Sequence, residues 1–467
     1  MTGSSKPWSL IDLLKGWPNP FLLPAVQIKI ASSIALSNAD ISTPGLLYGP
    51  DDGYGPLRAH IADWLTQFYQ PLSRISAERI CITGGASQNL ACILQVFSDP
   101  LFTRNVWMVS PTYFHACRIF EDSGFHGRLR SVPEDEEGVD VEYLRKALHQ
   151  SEMKAQAEGN TQPTLKPTRP WSKIYRHLIY AVPTFSNPSS RIMSLQRREE
   201  LVQVAREYDA CIITDDVYDM LQWPTDKTAV QPSREHAYLP RLVDIDRTLE
   251  GGAEREGSDG FGNAVSNGSF SKIAGPGCRT GWLEGTQKFA WGTSQVGSSK
   301  SGGAPSQLTS TFVSNLIESG ELQRHIFKTL QPTYARRYQS MITAIEEHLL
   351  PLGVKLPQTT RDVVGGYFIW LSLPAPMQAE EVAVRAQQEE NLIIAPGPIF
   401  AVYGDEKAVD LERKVRVCFS WEEEAMLAEG IQRLAQVIGR MQRNQRQQEE
   451  ATPSPREGSS FLVERHR

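Results

Sequence analysis

Lys272 lies in a run of small and hydroxyl-bearing residues, GSFSKIAGPGCRTGW at 268–282, that favours a reactive amine. A protonated lysine is a poor nucleophile, but a dry pocket or a neighbouring cation lowers its pKa and allows it to form a Schiff base. Ser269 and Arg279 could bind a phosphate group close to that amine. The run therefore suits a lysine joined to a phosphorylated aldehyde.

A carboxylate follows a predicted buried strand. Asp215 comes directly after the apolar run at 211–214, and Asp216 is its rival by position. A carboxylate held against a pyridine nitrogen keeps that nitrogen protonated, so that the ring accepts electrons from a substrate. An aspartate in this place equally suits a strand end or a helix cap.

A glycine-containing turn is a candidate phosphate site. Gly84, Gly85, Ala86 and Ser87 lie between a predicted strand at 80–83 and a segment with apolar residues at helical spacing. Backbone amides at the start of a helix bind anions, and glycine allows close approach. Ordinary turns also use Gly-Gly freely, so the turn alone is weak evidence.

Three more residues could contact a cofactor or a substrate. Tyr113 follows a predicted strand at 106–109, where an aromatic ring stacks on a ligand or packs in the core. Asn187 precedes a proline, a common way to start a turn. Arg416 alternates with valine on a predicted strand, and its guanidinium matches a carboxylate in bidentate geometry, although a solvated strand face is equally compatible.

The elements that must position these residues alternate along the chain. Strand-like runs at 80–83, 106–109, 178–182 and 211–214 are separated by helical patterns, among them a charged, amphipathic one at 194–208. This alternation predicts a mostly parallel sheet covered by helices. Helical patterns at 307–350, followed by strand-like runs at 367–373, 392–395 and 415–419, predict a second, smaller α/β domain. Polar segments at 151–170 and 250–263 are predicted loops.

Composition excludes several classes of protein. The chain has 467 residues with 48 Lys and Arg against 54 Asp and Glu, a balance that argues against a nucleic-acid surface. No window approaches the ~20 apolar residues of a membrane helix, and no leader sequence is evident. Six scattered cysteines favour buried free thiols over disulfides or a metal site. We expect a cytoplasmic protein without nucleic-acid, membrane or metal ligands.

These motifs together resemble one known family. The lysine run is similar to the S-x-S-K-x-x-x-P-G-x-R-x-G segment of fold type I pyridoxal 5'-phosphate enzymes of the class I/II aminotransferase family. Further matches occur in family order: a G-x-P element at 16–18, Tyr48 ahead of Gly53, T-x-G-[SA]-x-Q at 83–88, D-x-x-Y at 215–218, and R-x-x-F-S at 416–420. The pattern favours a subgroup resembling 2-aminoadipate and aromatic aminotransferases, because Arg279 lies seven residues past the lysine and the stretch Ser301-Gly302-Gly303 is present.

The resemblance implies a role for each residue. Lys272 would hold the cofactor, Asp215 would contact the ring nitrogen, and Tyr218 and Asn187 would contact the ring hydroxyl. Tyr113 would stack on the ring. The phosphate would be bound by Gly85, Ala86, Ser87, Ser269 and Arg279, with Tyr48 reaching it from the other subunit of a homodimer. Arg416, Gly16 and Asn187 would bind the substrate. Ala86 stands where the family often has a hydroxyl.

The resemblance also implies an organisation. We expect a large cofactor-binding domain at 46–315 with a mostly parallel seven-stranded sheet flanked by helices. A smaller α/β domain would combine an N-terminal segment, 1–45, with residues 316–440. The polar tail at 441–467 is expected to be disordered.

The implied activity is that of an aminotransferase, which moves an amino group between an L-amino acid and a 2-oxo acid by a ping-pong mechanism. A pyridoxal-phosphate lyase or synthase would use the same lysine and aspartate, so fold alone does not separate them. A regulator built on this fold would carry about 100 residues ahead of the cofactor domain. Because the family pattern starts within the first 20 residues, we expect an enzyme.

Overall fold

The computed structural model describes residues 9–225, 234–300, 305–357 and 361–451. Its strands are short and mostly buried: β1 (Ile11–Asp12), β2 (Ile80–Thr83), β3 (Val106–Ser110), β4 (Leu129–Asp135), β5 (Gly138–Val139), β6 (His177–Ala181), β7 (Ala210–Asp215), β8 (Gln222–Pro224), β9 (Ala264–Ser269), β10 (Gly281–Glu284), β11 (Val363–Gly365), β12 (Phe368–Ser372), β13 (Leu392–Ile393), β14 (Ala395–Pro396) and β15 (Lys414–Cys418).

The α-helices surround and connect these strands. They are α1 (Ala25–Ser37), α2 (Ala39–Leu46), α3 (Gly55–Tyr69), α4 (Ala86–Phe97), α5 (Phe114–Phe120), α6 (Val141–Ala157), α7 (Leu195–Glu207), α8 (Leu242–Thr248), α9 (Gln287–Ser294), α10 (Gln307–Glu318), α11 (Glu321–His325), α12 (Gln331–His348), α13 (Ala379–Glu390) and α14 (Glu424–Ala451).

The largest sheet has eight strands in the order β2-β10-β9-β7-β6-β3-β4-β5. Its central strands, from β9 to β4, run parallel, whereas β2, β10 and β5 pair antiparallel with their neighbours. Along β7, Cys211 and Ile213 pack on one face with α4 and α5, while Ala210 and Ile212 pack on the other with α6 and α7. A strand that is covered on both faces has a continuous run of apolar residues in its sequence. The predicted α/β fold with a mostly parallel sheet is therefore confirmed.

The sheet has one strand more than the seven predicted. β5 consists of Gly138 and Val139 only, and it pairs antiparallel with the end of β4. Gly138 has φ +114°, and a side chain there would come within 3.0 Å of the Met193 Cα. Two residues are too few to form an alternating pattern, so the sequence did not predict this edge strand.

Smaller sheets complete the fold. β12, β15 and β14 form an antiparallel sheet, and β1 pairs in parallel with β13 through Ile11 and Leu392. The N-terminal segment thus lies against the C-terminal part of the chain. Buried residues from both parts, among them Leu13, Ile394 and Val417, share one core. The domain limits at 45, 315 and 440 stay predictions.

The C-terminal helix differs from the expected disordered tail. Helix α14 runs to Ala451, so residues 441–451 are helical, and residues 452–467 lie outside the described part of the chain. Leu427, Ile431, Leu434, Ile438 and Met441 are buried at helical spacing, which anchors the helix beyond the predicted limit. Neither α14 nor any other described helix is long and apolar enough to cross a membrane.

The loop expected at 151–170 begins later than predicted. Helix α6 continues through residues 151–157, because Glu152 and Ala155 are buried on its inner face. The predicted loop at 250–263 begins within a short 3₁₀ segment, Leu249–Glu254, whose backbone is non-helical at 250–252, and irregular turns follow it, so no α-helix or strand replaces the predicted loop.

Candidate active site

The predicted site residues meet at one edge of the large sheet. β7 ends at Asp215 and β9 ends at Ser269, while Tyr113 and Asn187 follow the ends of β3 and β6. The carboxyl ends of parallel strands lie together, and ligands of such sheets bind there. A cavity of about 600 Å³ opens at this edge. Its walls include Gly16, Ala86, Ser87, Tyr113, Asn187, Asp215, Tyr218, Ser269, Lys272, Arg279 and Arg416.

Lys272 projects its amine into this cavity from a short 3₁₀ turn, Phe270–Lys272, that follows β9. The Nζ atom donates a 2.8 Å hydrogen bond to the Gly16 carbonyl and lies 5.7 and 5.4 Å from the ring centres of Tyr218 and Tyr367. Burial lowers the pKa of Lys272 to about 8, although Asp215 opposes this shift. A large fraction of the amine is therefore neutral in mildly alkaline solution.

Asp215, and not Asp216, faces the cavity. The Oδ2 atom of Asp215 accepts a 3.1 Å hydrogen bond from the Tyr180 hydroxyl, and its buried Oδ1 atom has no hydrogen-bond partner among the described residues. Asp216 instead accepts hydrogen bonds from Thr214 and Ser266 at 2.7 and 2.5 Å. Burial, with a smaller contribution from the neighbouring Asp216, raises the pKa of Asp215 to about 7. A buried carboxylate with one unpaired oxygen atom is suited to a cationic partner.

The glycine-containing turn lies at the start of helix α4. Gly85 precedes the helix with φ +104°, and a side chain there would approach the Arg279 guanidinium within 3.1 Å. Arg279 donates to the Gly84 carbonyl at 2.7 Å, so the turn and the lysine segment are joined beside the cavity. Ser269 accepts a 3.1 Å hydrogen bond from the Ser271 amide. Backbone amides at a helix start and a nearby guanidinium are suited to binding an anion.

Arg416 and Asn187 form the opposite part of the cavity wall. Arg416 donates to the Asn187 Oδ1 atom at 2.6 Å and to the Leu14 carbonyl at 2.5 Å. Its buried Nε atom has no partner among the described residues. The guanidinium lies 4.0 Å from the ring centre of Phe368, and burial lowers the pKa of Arg416 to about 10. An arginine with an unused buried donor is suited to an anionic ligand.

Two predicted features fall outside this arrangement. Tyr48 is 84% exposed and lies beside Gly49, Pro50 and Gln307, away from the cavity walls. Ser301, Gly302 and Gly303 lie outside the described residues. Tyr113 and Tyr218, by contrast, both line the cavity, and burial raises the pKa of Tyr113 to about 12.

Sequence reasoning missed several residues of the cavity wall. Asn267, on β9, donates to the Ala86 carbonyl at 3.0 Å and accepts a 2.8 Å hydrogen bond from Asn89. Tyr180 binds Asp215, and Lys15 and Trp17 line the cavity next to Gly16. Tyr180 lies near the end of the strand predicted at 178–182, which is the signal that could have identified it, whereas no strand was predicted around Asn267. Nothing in the local sequence marks Lys15.

Comparison with known proteins agrees with this geometry. Residues 21–434 match the family described as aminotransferase class I and II. An uncharacterized protein of Saccharomyces cerevisiae is 35% identical over 85% of this chain and 90% of its own length. Aromatic-amino-acid aminotransferase 1 of Thermococcus litoralis is 27% identical over 92% of this chain and 88% of its own.

A solved structure shows the same fold with a ligand. The α-aminoadipate aminotransferase LysN of Thermus thermophilus, complexed with N-(5'-phosphopyridoxyl)-L-leucine, superposes with a TM-score of 0.71. It is 25% identical, and the match covers 93% of each chain. The ligand in that complex joins a phosphopyridoxyl group to an amino acid.

Proposed function

The chain belongs to the class I and II aminotransferase family and is a pyridoxal 5'-phosphate-dependent transaminase, and from that premise we propose its reaction. It moves an amino group between an L-amino acid and a 2-oxo acid by a ping-pong mechanism. The observation that carries this proposal is the presence of Lys272, Asp215 and Arg416 in one cavity, with unused polar atoms on Asp215 and Arg416.

The residues of the cavity fit this cofactor. The unpaired Oδ1 atom of Asp215 suits a protonated ring nitrogen, because a buried acceptor without a partner is costly. Arg279, Ser269, Ser87 and the amides at the start of α4 suit the phosphate. Tyr113 would contact the ring face, and Tyr218 and Asn187 would contact the ring hydroxyl.

The cofactor, when bound, supplies an aldehyde that captures amines and a ring that withdraws electrons from the substrate α-carbon. The protein supplies position, charge and proton transfer. The pKa of about 8 allows Lys272 to be a neutral nucleophile and, once released, to accept a proton from the α-carbon at Nζ. Asp215 keeps the ring nitrogen protonated, which strengthens that withdrawal of electrons.

The substrate carboxylate is assigned to Arg416. In the structure one of its amino groups donates to the Leu14 carbonyl, and Asn187 orients the other. A carboxylate makes a stronger, charge-assisted pair with a guanidinium than a neutral carbonyl does. Gly16 contributes a backbone carbonyl beside the same space, and a side chain there would come within 2.7 Å of the Phe368 ring. Arg416 thus fixes the substrate while Lys272 acts on its α-carbon.

A direct experiment tests this function. Purified protein with pyridoxal 5'-phosphate is given a panel of L-amino acids and 2-oxoglutarate, and glutamate is followed over time. Glutamate formation with double-reciprocal lines that stay parallel as the second substrate varies is the expected result. Release of ammonia and pyruvate without glutamate would replace this proposal with a lyase activity. Lys272→Ala, which removes the proposed nucleophile, is the inactive control.

We further propose a homodimer that shares its active sites. An apolar face, defined by Phe21, Val26, Ile30, Leu46 and Leu47, exposes between 55% and 83% of each side chain. Large apolar residues exposed to this extent are typical of a protein interface, and two-fold dimers are the commonest assembly. Tyr48 follows Leu47 directly in the chain, and in this proposal it reaches the cavity of the second copy, as the family resemblance implies.

We also propose a cytosolic location. All six cysteines are free thiols, and five of them are buried. Free buried thiols fit a reducing compartment, where disulfides are rare. Cell fractionation with cytosolic and organellar marker proteins tests this location.

A further inference from the structure

One cation in the cavity wall is not used by the chemistry above. Four lysine and arginine side chains line the described part of the cavity: Lys15, Lys272, Arg279 and Arg416. The last three donate to oxygen atoms of the protein. Among the described residues, the Lys15 ammonium has no hydrogen-bond or ion-pair partner, and it contacts aromatic rings instead.

The position of Lys15 relative to the reacting groups is fixed by its two neighbours. The carbonyl of Leu14 accepts a hydrogen bond from Arg416, and the carbonyl of Gly16 accepts one from Lys272. Adjacent α-carbons are about 3.8 Å apart, so Lys15 starts one residue away from each of these contacts. Lys15 also lines the same cavity as Arg416 and Lys272, so the side chain of a substrate held between those two residues shares that cavity with the Lys15 ammonium.

Two tryptophans hold the Lys15 ammonium. Its Nζ atom lies 4.7 Å from the ring centre of Trp17 and 4.3 Å from that of Trp421, and the two rings are perpendicular. Ser420 donates to the Trp17 carbonyl and Asn19 to the Trp421 carbonyl, both at 2.7 Å. The carbonyl of each tryptophan is thus bound by a side chain from the segment that carries the other tryptophan. Cation–π contacts restrain the ammonium without using its three hydrogen-bond donors.

Nearby carboxylates do not neutralise this cation by direct pairing. The Asp12 Oδ1 atom accepts hydrogen bonds from the backbone amides of Leu14 and Lys15, at 3.0 and 3.1 Å. Glu422 accepts from the Asp12 amide at 2.6 Å. One oxygen atom of each carboxylate is used by the backbone and shapes the turn that carries Lys15, and Asp12 also lines the cavity. The three hydrogen-bond donors of the Lys15 ammonium are therefore available to an anion from outside the protein.

We propose that Lys15 is a specificity-determining residue that binds the side-chain carboxylate of a dicarboxylic substrate. The inference rests on the proposed function, since it assigns the far end of a substrate whose α-carboxylate is on Arg416. A lysine gives a point charge that accepts carboxylates at more than one distance, which suits substrates of different chain length.

Substitution of Lys15 tests the assignment. Lys15→Met keeps the length of the side chain and its contact with the indoles but removes the charge. We expect kcat/KM to fall about 10- to 100-fold for L-glutamate and L-2-aminoadipate, the worth of one charge-assisted hydrogen bond. The values for the neutral counterparts L-glutamine and L-norleucine should stay within about twofold. Lys15→Arg should retain most of the dicarboxylate preference.

A matched control and a binding measurement separate the possible failures. Lys154→Met removes an exposed lysine of helix α6 and should leave every substrate unchanged. Glutarate should bind the cofactor-loaded wild type about tenfold or more tightly than butanoate in calorimetry, and Lys15→Met should remove that difference. Equal losses for all four amino acids, or an unchanged dicarboxylate preference, would overturn the role of Lys15. Absence of transamination with every amino acid would overturn the proposed function. The comparison of glutarate with butanoate binding would still show whether Lys15 binds a second carboxylate.

Discussion

The hydroxyl of Tyr367 donates a 3.0 Å hydrogen bond to the backbone carbonyl of Lys272. The same tyrosine is fully buried, and its ring centre lies 5.4 Å from the lysine Nζ atom. Tyr334 lies behind it, with 3.4 Å between the two hydroxyl oxygens. Tyr367 therefore restrains both the backbone and the amine of the proposed nucleophile, as a positioning residue that acts through Lys272.

Removal of the Tyr367 hydroxyl should slow the reaction without preventing assembly of the site. For Tyr367→Phe we expect kcat to fall about fivefold, because one neutral hydrogen bond is worth about 1 kcal/mol. Steady-state kinetics and cofactor content, measured by absorbance, check this. Tyr338→Phe, which changes a tyrosine packed on Trp223 and Phe419, is the matched control and should retain wild-type kcat. A full wild-type rate in Tyr367→Phe would remove its positioning role.

Replacement of Arg416 should affect the substrate and spare the cofactor. Lys cannot reproduce the bidentate guanidinium or its contact with Asn187. For Arg416→Lys we expect kcat/KM for amino acids to fall by about 10²- to 10³-fold, with cofactor content unchanged. Single-turnover kinetics on the loaded enzyme measure the effect. Loss of cofactor in this variant would instead place Arg416 in the cofactor site.

Much of the fold and of the site could be predicted because both depend on local patterns. Buried parallel strands give continuous apolar runs, and the carboxyl end of one such run identifies Asp215, whereas Ser269 was identified by the lysine run that follows it. The choice between Asp215 and Asp216 was harder, since alternation places them on opposite faces of β7 without saying which face holds the cavity. In the structure, the hydrogen bond from the Tyr180 hydroxyl and the unpaired Oδ1 atom identify Asp215 as the carboxylate that faces the cavity.

Contacts between distant segments could not be predicted from the sequence. Lys15 and Trp421 come from opposite ends of the chain, and Tyr367 meets Lys272 only when β12 lies beside the lysine turn. The two-residue strand β5 has no period to detect. Helix α14 exceeds the predicted limit because its polar sequence is stabilised by burial of one apolar face, which composition alone does not reveal.

Capture of the cofactor should depend on pH through Lys272. Only the neutral amine is nucleophilic, and the pKa of this lysine is lowered to about 8. The rate at which cofactor-free protein forms its covalent adduct should rise about tenfold from pH 6 to pH 7 and level off above about pH 8. Stopped-flow absorbance measures it. Non-covalent binding to Lys272→Ala, followed by tryptophan fluorescence, corrects for titration of the cofactor itself. A flat profile in the wild type contradicts the lowered pKa.

The proposed dimer makes Tyr48 testable by complementation. Tyr48→Phe should weaken cofactor binding about five- to twentyfold, because one hydrogen bond to a phosphate is lost. Mixed with Lys272→Ala protein, it should form heterodimers in which the Lys272-bearing site receives an intact Tyr48 from the partner, and the affinity of that site should return. Sedimentation confirms the dimer, and fluorescence titration measures the cofactor. A monomer, or an unrestored affinity in confirmed heterodimers, argues against a shared site.

Asp215 should destabilise the cofactor-free protein at high pH. Burial raises its pKa from 3.8 to about 7, so the folded state binds this proton more tightly than the unfolded state does. The free energy of unfolding therefore decreases as the pH rises from about 4 to about 7, and the penalty is complete above that range. In Asp215→Asn this penalty is absent, so the cofactor-free variant should be more stable than the wild type by about 4 kcal/mol at pH 8.

The difference between these two proteins should shrink as the pH falls from 7 towards 5, where the wild-type carboxyl is already protonated in the fold. Urea unfolding across this pH range measures it. Asp63→Asn, at a more exposed carboxylate paired with Arg74, is the control and should show no such gain at pH 8. With cofactor the order should reverse, because the cationic ring nitrogen pairs with Asp215 and stabilises only the wild type. If Asp215→Asn were more stable than the wild type both without and with cofactor, Asp215 would have no role in cofactor binding.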